Sequence, residues 1–472
     1  MLFNSFGYLL VFLPVVAAVH GVLRSRAGSR WSQAWLLLAS LFFYGYAKPW
    51  QLVPLLASTV FNWAIGRAMM SQTGEGRRKT FLRIGLAANI IFLCAFKYGN
   101  FFLGAASVFG GPRLSLPDWE LPLGISFFTL TQIMYLVDTY QGLNGANSLF
   151  DHATFVCLFP YVISGPLVRS RAIVGAFRTY AFRESRLDLA CRGLYLFALG
   201  LAKKTIFADS FAAVADAGFR SARDFSSLEA WVFSLAFTFQ IYFDFSGYSD
   251  MALGSAWMLG IDLPQNFNAP YRSRSISEFW QRWHISLSNF ITSYLYTPML
   301  RAMGKATLRA SAVATLLAMG IAGLWHGPAW TYVIFGLLHG SALAINQVWK
   351  KRKLKMPDWL GWMLTFAFVN VAFIFFRSPS VPAALHMIWS MFPHVNLFGT
   401  MALQAVLPLT LLTLARPIAV GAILAFAFKS APELVKVFRP SLATAGAAAG
   451  LILLALFFIN SSPAKQFVYF AF

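Results

Sequence analysis

The sequence predicts an all-α, polytopic transmembrane protein, and three observations carry that prediction. Of its 472 residues, 58% are hydrophobic and only 12% charged, against about 25% charged in an ordinary soluble domain. Apolar runs approaching the roughly 20 residues a bilayer span needs recur from end to end. Those runs do not alternate with the period of two that a transmembrane β-barrel requires.

The runs fall, in order, at 2–23, 32–47, 50–70, 82–109, 121–140, 153–168, 190–214, 229–261, 310–325, 328–349, 359–377, 400–428 and 442–460. The first, Leu2 to Leu23, lacks a basic leader and a small-residue cleavage site, so it reads as a retained span and not as a signal peptide. Segments 153–168 and 310–325 are short and punctuated by Pro and Gly, which predicts re-entrant or broken helices. No soluble domain, repeat or low-complexity tract interrupts the pattern, so 1–472 reads as a single integral-membrane domain. The longest polar stretch, 262–284, is too short to fold alone but long enough to line a cavity.

The net charge of +21 does not point to nucleic acid. Lys and Arg cluster in short connectors, at Arg24 to Arg30, Arg77-Arg78-Lys79, Arg169 to Arg186 and Lys350-Lys351-Arg352-Lys353. That is the positive-inside pattern. It puts connectors 24–30 and 71–81 inside. The N-terminus and connector 104–120, where Arg113 is balanced by Asp118 and Glu120, then lie outside. The same charge would attract an anionic cytosolic substrate. Cys94, Cys157 and Cys191 form no CxxC pair and read as small core residues, with no metal site among them.

Chemistry-bearing residues concentrate in three places. The run Phe239 to Ala252 carries Asp244, Ser246, Tyr248 and Asp250 inside apolar sequence. A centrally placed Asp costs about 2.5–3.5 kcal/mol on insertion scales. Each Asp therefore has a partner on a neighbouring helix, or the cluster lines a polar cavity. Next, Leu263 to Arg272 holds Pro264, Pro270, Asn266 and Asn268, which forbid a continuous helix. It leads into Ser277 to Ser288, where His284 follows Trp283. With Tyr271, Trp280, Trp283 and Tyr294 as interface aromatics, this segment reads as a helix near the cytoplasmic face with a polar edge turned inward. Third, His326 sits between Gly323 and the Gly327-Pro328 break. A titratable ring in such a setting marks a functional site. His339, thirteen residues on, would point about 140° away on an unbroken helix. It reads as a packed core residue, as do His20, His152, His386 and His394. No G-x-S-x-G elbow, H-E-x-x-H motif, P-loop or G-x-G-x-x-G is present.

At these residues the chain resembles the membrane-bound O-acyltransferase family, in its bacterial alginate O-acetyltransferase-like branch. The matching pieces are Leu121 to Phe128 with Tyr135 to Asp138, Ser164-Gly165-Pro166, Leu201 to Lys204, Phe239 to Asp250, Pro264 to Pro270, Glu278 to Ser288, Leu324 to Trp330, Phe375-Phe376-Arg377 and Phe467 to Phe472. The resemblance implies helices enclosing a central tunnel, in a bacterial inner membrane. It implies acyl transfer from a cytosolic thioester, acetyl-CoA or the phosphopantetheine of an acyl carrier protein, with no bound cofactor. The acceptor would be a hydroxyl of a cell-envelope polysaccharide, or a periplasmic SGNH-type relay acyltransferase. His326 takes the place of the catalytic histidine, as general base, and His284 that of its partner, orienting the acyl carbonyl. Trp325 and Trp330 would wall the cavity, and Arg272, Arg274 and Arg282 would meet donor phosphates. Two departures stand out. Thr292-Ser293 replaces the Arg-Asp common before Tyr294-Leu295-Tyr296, and Pro298-Met299-Leu300-Arg301 replaces a Pro-Leu-Gly-Gly turn. Two other functions compete. One is a transporter or flippase for a polar lipid or glycan precursor, which Asp244 and Asp250 would suit but for the lack of an inverted repeat. The other is a non-catalytic scaffold, against which the histidine pair counts.

Overall fold

A computed structural model describes residues 1–108, 120–179, 186–220, 226–304, 307–392, 407–427, 429–461 and 467–468. Arg113, Asp118, His394, positions 400–406 and Tyr469 to Phe472 lie outside the described residues. Among the described residues the secondary structure is helical, with no strand. Six helical stretches among the described residues are long and apolar enough to cross a membrane: Gly7–Arg26, Pro49–Met70, Glu75–Gly104, Leu308–His326, Asp358–Arg377 and Leu442–Ser461. The protein is an all-α, multi-pass membrane protein.

The chain gathers into two compact units, each built from several segments. The first comprises Met1–Ala198, Ser249–Pro264 and Arg439–Ala448, and the second Leu199–Tyr248, Gln265–Phe438 and Ala449–Phe472.

In the first unit the helix pairs meet through small and polar residues, as expected where lipid supplies no hydrophobic drive between helices. Asn62 and Asn89 exchange amide hydrogen bonds of 3.3 and 2.7 Å between helices Leu52–Met70 and Glu75–Leu93. The break expected within 153–168 is present. The helix Leu149–Cys157 stops, and residues 158–169 run as buried turns. Their backbone is satisfied inside the protein: the Phe159 amide donates to the Ser40 hydroxyl at 3.0 Å, and the Gly165 amide to the Tyr161 carbonyl at 3.1 Å.

The second break expected from sequence is not there. Leu308–His326 is one uninterrupted helix, and the chain turns only after His326. Its glycines serve packing. A Cβ at Gly323 would stand 2.3 Å from the Tyr332 carbonyl oxygen, and one at Gly336 would stand 2.3 Å from that of Met319. Two glycines thus let helices Leu308–His326 and Trp330–Lys351 lie backbone to backbone as an antiparallel hairpin. At about 1.5 Å per residue the first of these helices measures close to 28 Å. One end of the hairpin carries Arg309, Lys350 and Lys351, and the other carries His326.

Candidate active site in the second unit

The segment before His284 is not one amphipathic helix. It is a 3-10 turn, Pro270–Arg272, a seven-residue helix, Ile276–Arg282, and a second short helix, Ile285–Phe290. Ser275 caps the first helix by accepting the Glu278 amide at 3.2 Å. His284 forms the joint, with φ 41° and ψ 56°. That left-handed conformation costs an ordinary residue about 1–2 kcal/mol, so the surroundings must hold it.

Asn266 does much of the holding. Its carbonyl accepts the Ile285 amide at 2.9 Å. Its side-chain oxygen accepts the Ser286 amide at 3.1 Å and lies 3.4 Å from His284 Nδ1. The Asn268 amide donates to the Arg282 carbonyl at 2.9 Å. Residues 266–268 therefore run alongside 282–286 as a short strap on either side of His284. The prolines that forbid a helix here free this backbone to do so.

Aromatic rings complete the enclosure of His284. Phe245 meets the imidazole edge-on at 4.6 Å between centroids. Trp283 is stacked with Phe279 at 5.5 Å and with Tyr271 at 6.1 Å, and Phe267 meets it edge-on at 5.1 Å. Tyr271, Trp280 and Trp283 are all buried. Tyr271 packs on Trp283, and Trp280 packs on Phe279 and His339, so these three rings face protein and not the membrane interface expected of them.

His326 is the last residue of its helix and is also buried. Trp325, Phe376 and Phe335 surround it at centroid distances of 4.9, 5.1 and 6.0 Å. A continuous set of rings connects the two histidine segments. Phe335 packs on Phe373 at 6.0 Å, and Phe373 on Trp283 at 5.2 Å. The structure thus brings His284 and His326 into one aromatic cluster. His339 belongs to that cluster as well, 4.6 Å from Phe335, instead of standing apart on the opposite helix face.

A cavity of about 400 Å³ lies beside this cluster. Trp280, Ile285, Ile291, Ala318, Met319 and Leu343 give it apolar walls, and Ser277, Gln281, Ser288, Asn289, Thr292, Tyr296, Thr315 and Gln347 give it polar ones. Tyr296 and Ser311 share a 2.9 Å hydrogen bond, Ser311 donates to Gln347 Oε1 at 2.9 Å, and Gln347 Nε2 donates to the Thr315 hydroxyl at 2.9 Å. Of these polar walls, sequence reasoning singled out Thr292 alone, as half of the Thr292-Ser293 departure. Ser277, Gln281, Ser288 and Thr292 do repeat at multiples of four or near them, which was the signal available.

The remaining expected residues are placed as follows. Asp244 is ion-paired with Lys204 at 2.9 Å, and Lys204 also pairs with Asp209 at 2.9 Å. The Val468 amide donates to the other Asp244 oxygen at 2.7 Å. Asp244 therefore has the partners that the structural reading required, and Lys204, unremarked as an ion-pair centre in the sequence, supplies the charge. Ser246 is buried with no partner for its hydroxyl, and Tyr248 is stacked on Phe467 at 4.5 Å. Asp250 is buried on the part of the Ser227–Met258 helix that belongs to the first unit. Each arginine expected to meet donor phosphates faces a carboxylate: Arg272 faces Glu433 at 3.6 Å, Arg282 faces Glu278 at 2.7 Å, and Arg274 pairs with Asp358. Trp325 packs on His326, whereas Trp330 is 57% exposed. Among the described residues no cluster of His, Cys, Asp and Glu is arranged to hold a metal.

Residues 4–381 match the profile of the membrane-bound O-acyltransferase family. A peptidoglycan O-acetyltransferase of Helicobacter pylori is 37% identical over 421 residues, covering 83% of this chain and 80% of its own. A probable alginate O-acetylase of Pseudomonas aeruginosa is 36% identical over 413 residues, covering 86% of this chain and 76% of its own. A teichoic acid D-alanyltransferase of Bacillus subtilis is 29% identical over 294 residues, covering 56% of this chain and 72% of its own.

Proposed function

Because this chain belongs to the membrane-bound O-acyltransferase family, we propose that it moves an acetyl group from a cytosolic thioester to a hydroxyl destined for a cell-envelope polysaccharide. The donor is acetyl-CoA or an acetylated carrier protein. The acceptor is the glycan itself or a periplasmic relay acyltransferase, and the membrane is the bacterial inner membrane. The glycans and acetyl group in the names of the Helicobacter and Pseudomonas relatives support the acyl group and the acceptor class. The observation that carries the reading is the burial of His284 and His326 in one ring cluster beside a cavity with polar and apolar walls.

In this reading His326 is the general base. It takes the proton of the attacking hydroxyl as the new C–O bond forms, the C–S bond breaks, and the proton passes to the departing thiolate. A positioned base contributes about 10²–10⁴-fold. His284, locked in place by Asn266, orients the thioester carbonyl and stabilises the charge that develops on its oxygen. The donor arm lies in the cavity, whose amide and hydroxyl walls match an amide-bearing thiol arm. Lys350 and Lys351 stand three and four residues beyond the cavity residue Gln347, one turn along the helix. They are better placed to meet donor phosphates than Arg272, Arg274 and Arg282, which face carboxylates.

His326→Ala in the purified protein tests the assignment. Acetyl transfer from acetyl-CoA should fall at least 100-fold while the protein still inserts and purifies; wild-type turnover would remove His326 from the mechanism. A single cysteine at position 274, after replacement of Cys94, Cys157 and Cys191, tests the side from which the donor comes. An impermeant thiol reagent should reach it only from the cytosolic face, and labelling from the outer face would reverse the proposed orientation.

A further inference from the structure

His339 is buried and lies in a cage of rings. Phe335, Phe368 and Trp280 meet it at centroid distances of 4.6, 5.2 and 5.2 Å, and Phe279 is stacked with it at 6.0 Å. One polar contact enters the cage: the Trp280 indole N–H donates to His339 Nδ1 at 3.2 Å. An indole can only donate, so Nδ1 must be an unprotonated acceptor and the neutral ring carries its hydrogen on Nε2. That Nε2 has no hydrogen-bond partner. A buried polar atom left unmade costs about 1–3 kcal/mol. A hydrocarbon side chain would fill the cage without that cost, so packing does not account for an imidazole here.

What the imidazole does is hold Trp280. The indole is a wall of the cavity and lies four residues before His284, at the far end of the same short helix from Ser275. Without its acceptor the indole N–H would be stranded in apolar surroundings, and the ring would turn to find another partner. The nearest polar groups along its own chain are the cavity walls Ser277 and Gln281. The ring would then move across the space the donor arm needs.

We propose that His339 is a positioning residue for acyl transfer: it holds the Trp280 indole out of the donor cavity and so sets that cavity's shape beside His284. The proposal rests on the acyltransfer reading above. It concerns donor binding, so its signature is a change in KM with kcat little altered, which general loss of folded protein would not produce.

The test uses full-length purified protein, with acetyl-CoA as the probe. His339→Leu should raise the KM for acetyl-CoA about tenfold or more. His339→Asn, whose side-chain oxygen replaces Nδ1 as the acceptor, should recover most of the wild-type KM. Trp280→Phe removes the donor, so adding His339→Leu to it should change KM and melting temperature less than His339→Leu does alone. A wild-type KM in His339→Leu, no recovery in His339→Asn, or strictly additive effects in the double variant would each overturn the positioning role while leaving acyl transfer intact. A wild-type protein that turns over no thioester would instead overturn the acyltransfer reading, and this inference with it.

Discussion

Asn266 and His284 are eighteen residues apart in sequence and are joined by a 3.4 Å contact between Asn266 Oδ1 and His284 Nδ1. The same oxygen also accepts the Ser286 amide at 3.1 Å. One side chain therefore fixes both the imidazole and the backbone that presents it. Asn266→Leu should lower kcat by at least about tenfold, equivalent to roughly 1.4 kcal/mol. The backbone conformation supplies an internal control. His284→Gly and His284→Ala should both lose activity, but the glycine variant should be the more stable by about 1 kcal/mol, since only alanine keeps the left-handed penalty. Thermal unfolding in detergent measures the difference. An alanine variant at least as stable as the glycine variant would mean that the left-handed joint stores no strain.

A second prediction concerns Lys204, which carries one positive charge between Asp209 and Asp244. Removing one partner of a buried pair typically costs about 3–5 kcal/mol, because a charge is left uncompensated. Lys204→Met should therefore destabilise strongly. Lys204→Met combined with Asp209→Asn and Asp244→Asn should lie closer to the wild type than Lys204→Met alone. If the triple variant melts lowest, the three charges are not a unit.

Gly323→Ala and Gly336→Ala address the helix hairpin that carries His326. Each new methyl would stand 2.3 Å from a backbone oxygen of the partner helix. Overpacking of this kind costs about 1–3 kcal/mol. Because the helices must part to admit the methyl, activity should fall along with the melting temperature. Gly76→Ala, where an added Cβ meets nothing within 4 Å, is the matched control and should change neither.

Acid should loosen the contact between Arg272 and the short helix Ala431–Lys436. Glu433 caps that helix, accepting the Ser430 backbone amide at 2.6 Å and its hydroxyl at 2.9 Å, with the Arg272 guanidinium 3.6 Å away. The backbone hydrogen bond above all, then the Ser430 hydroxyl and the charges of Arg272 and Arg282, lowers its pKa in the folded protein. A carboxyl with a depressed folded pKa contributes stability above its unfolded value and loses it as pH falls through the folded value. The melting temperature should thus decline below about pH 4.5 in the wild type, and less steeply in Glu433→Gln. Parallel declines in the two proteins would show that Glu433 contributes nothing to acid sensitivity.

The sequence was most legible where a local pattern carries the physics. His284 and His326 stood out because an ionisable ring in apolar sequence beside helix breakers is costly at that position alone, and the structure buries both in one ring cluster. The broken helix near Pro160 was legible for the same reason. What escaped was whatever depends on contact between distant residues. Gly320 and Gly323 read as interruptions of 310–325, yet Gly323 packs against Gly336 and Gly320 against Leu337 of the partner helix, overriding their poor helix propensity. His339 read as a packed core residue, and it is buried; its one polar contact, with Trp280 59 residues away, has no local signal. No local rule announces that Glu433 and Asp358 face Arg272 and Arg274, whereas the Glu278–Arg282 pair is a local i,i+4 contact.

The hydrogen bond from the Val468 amide to Asp244 spans 224 residues of sequence. At synthesis rates of about 5–20 residues per second, residue 468 leaves the ribosome roughly 10–45 s after Asp244 does. Throughout that interval the Lys204 charge cluster must persist in the membrane without its final donor. The Asp244 carboxylate thus acquires this backbone donor only late in synthesis, after the Lys204 ammonium is already available to it.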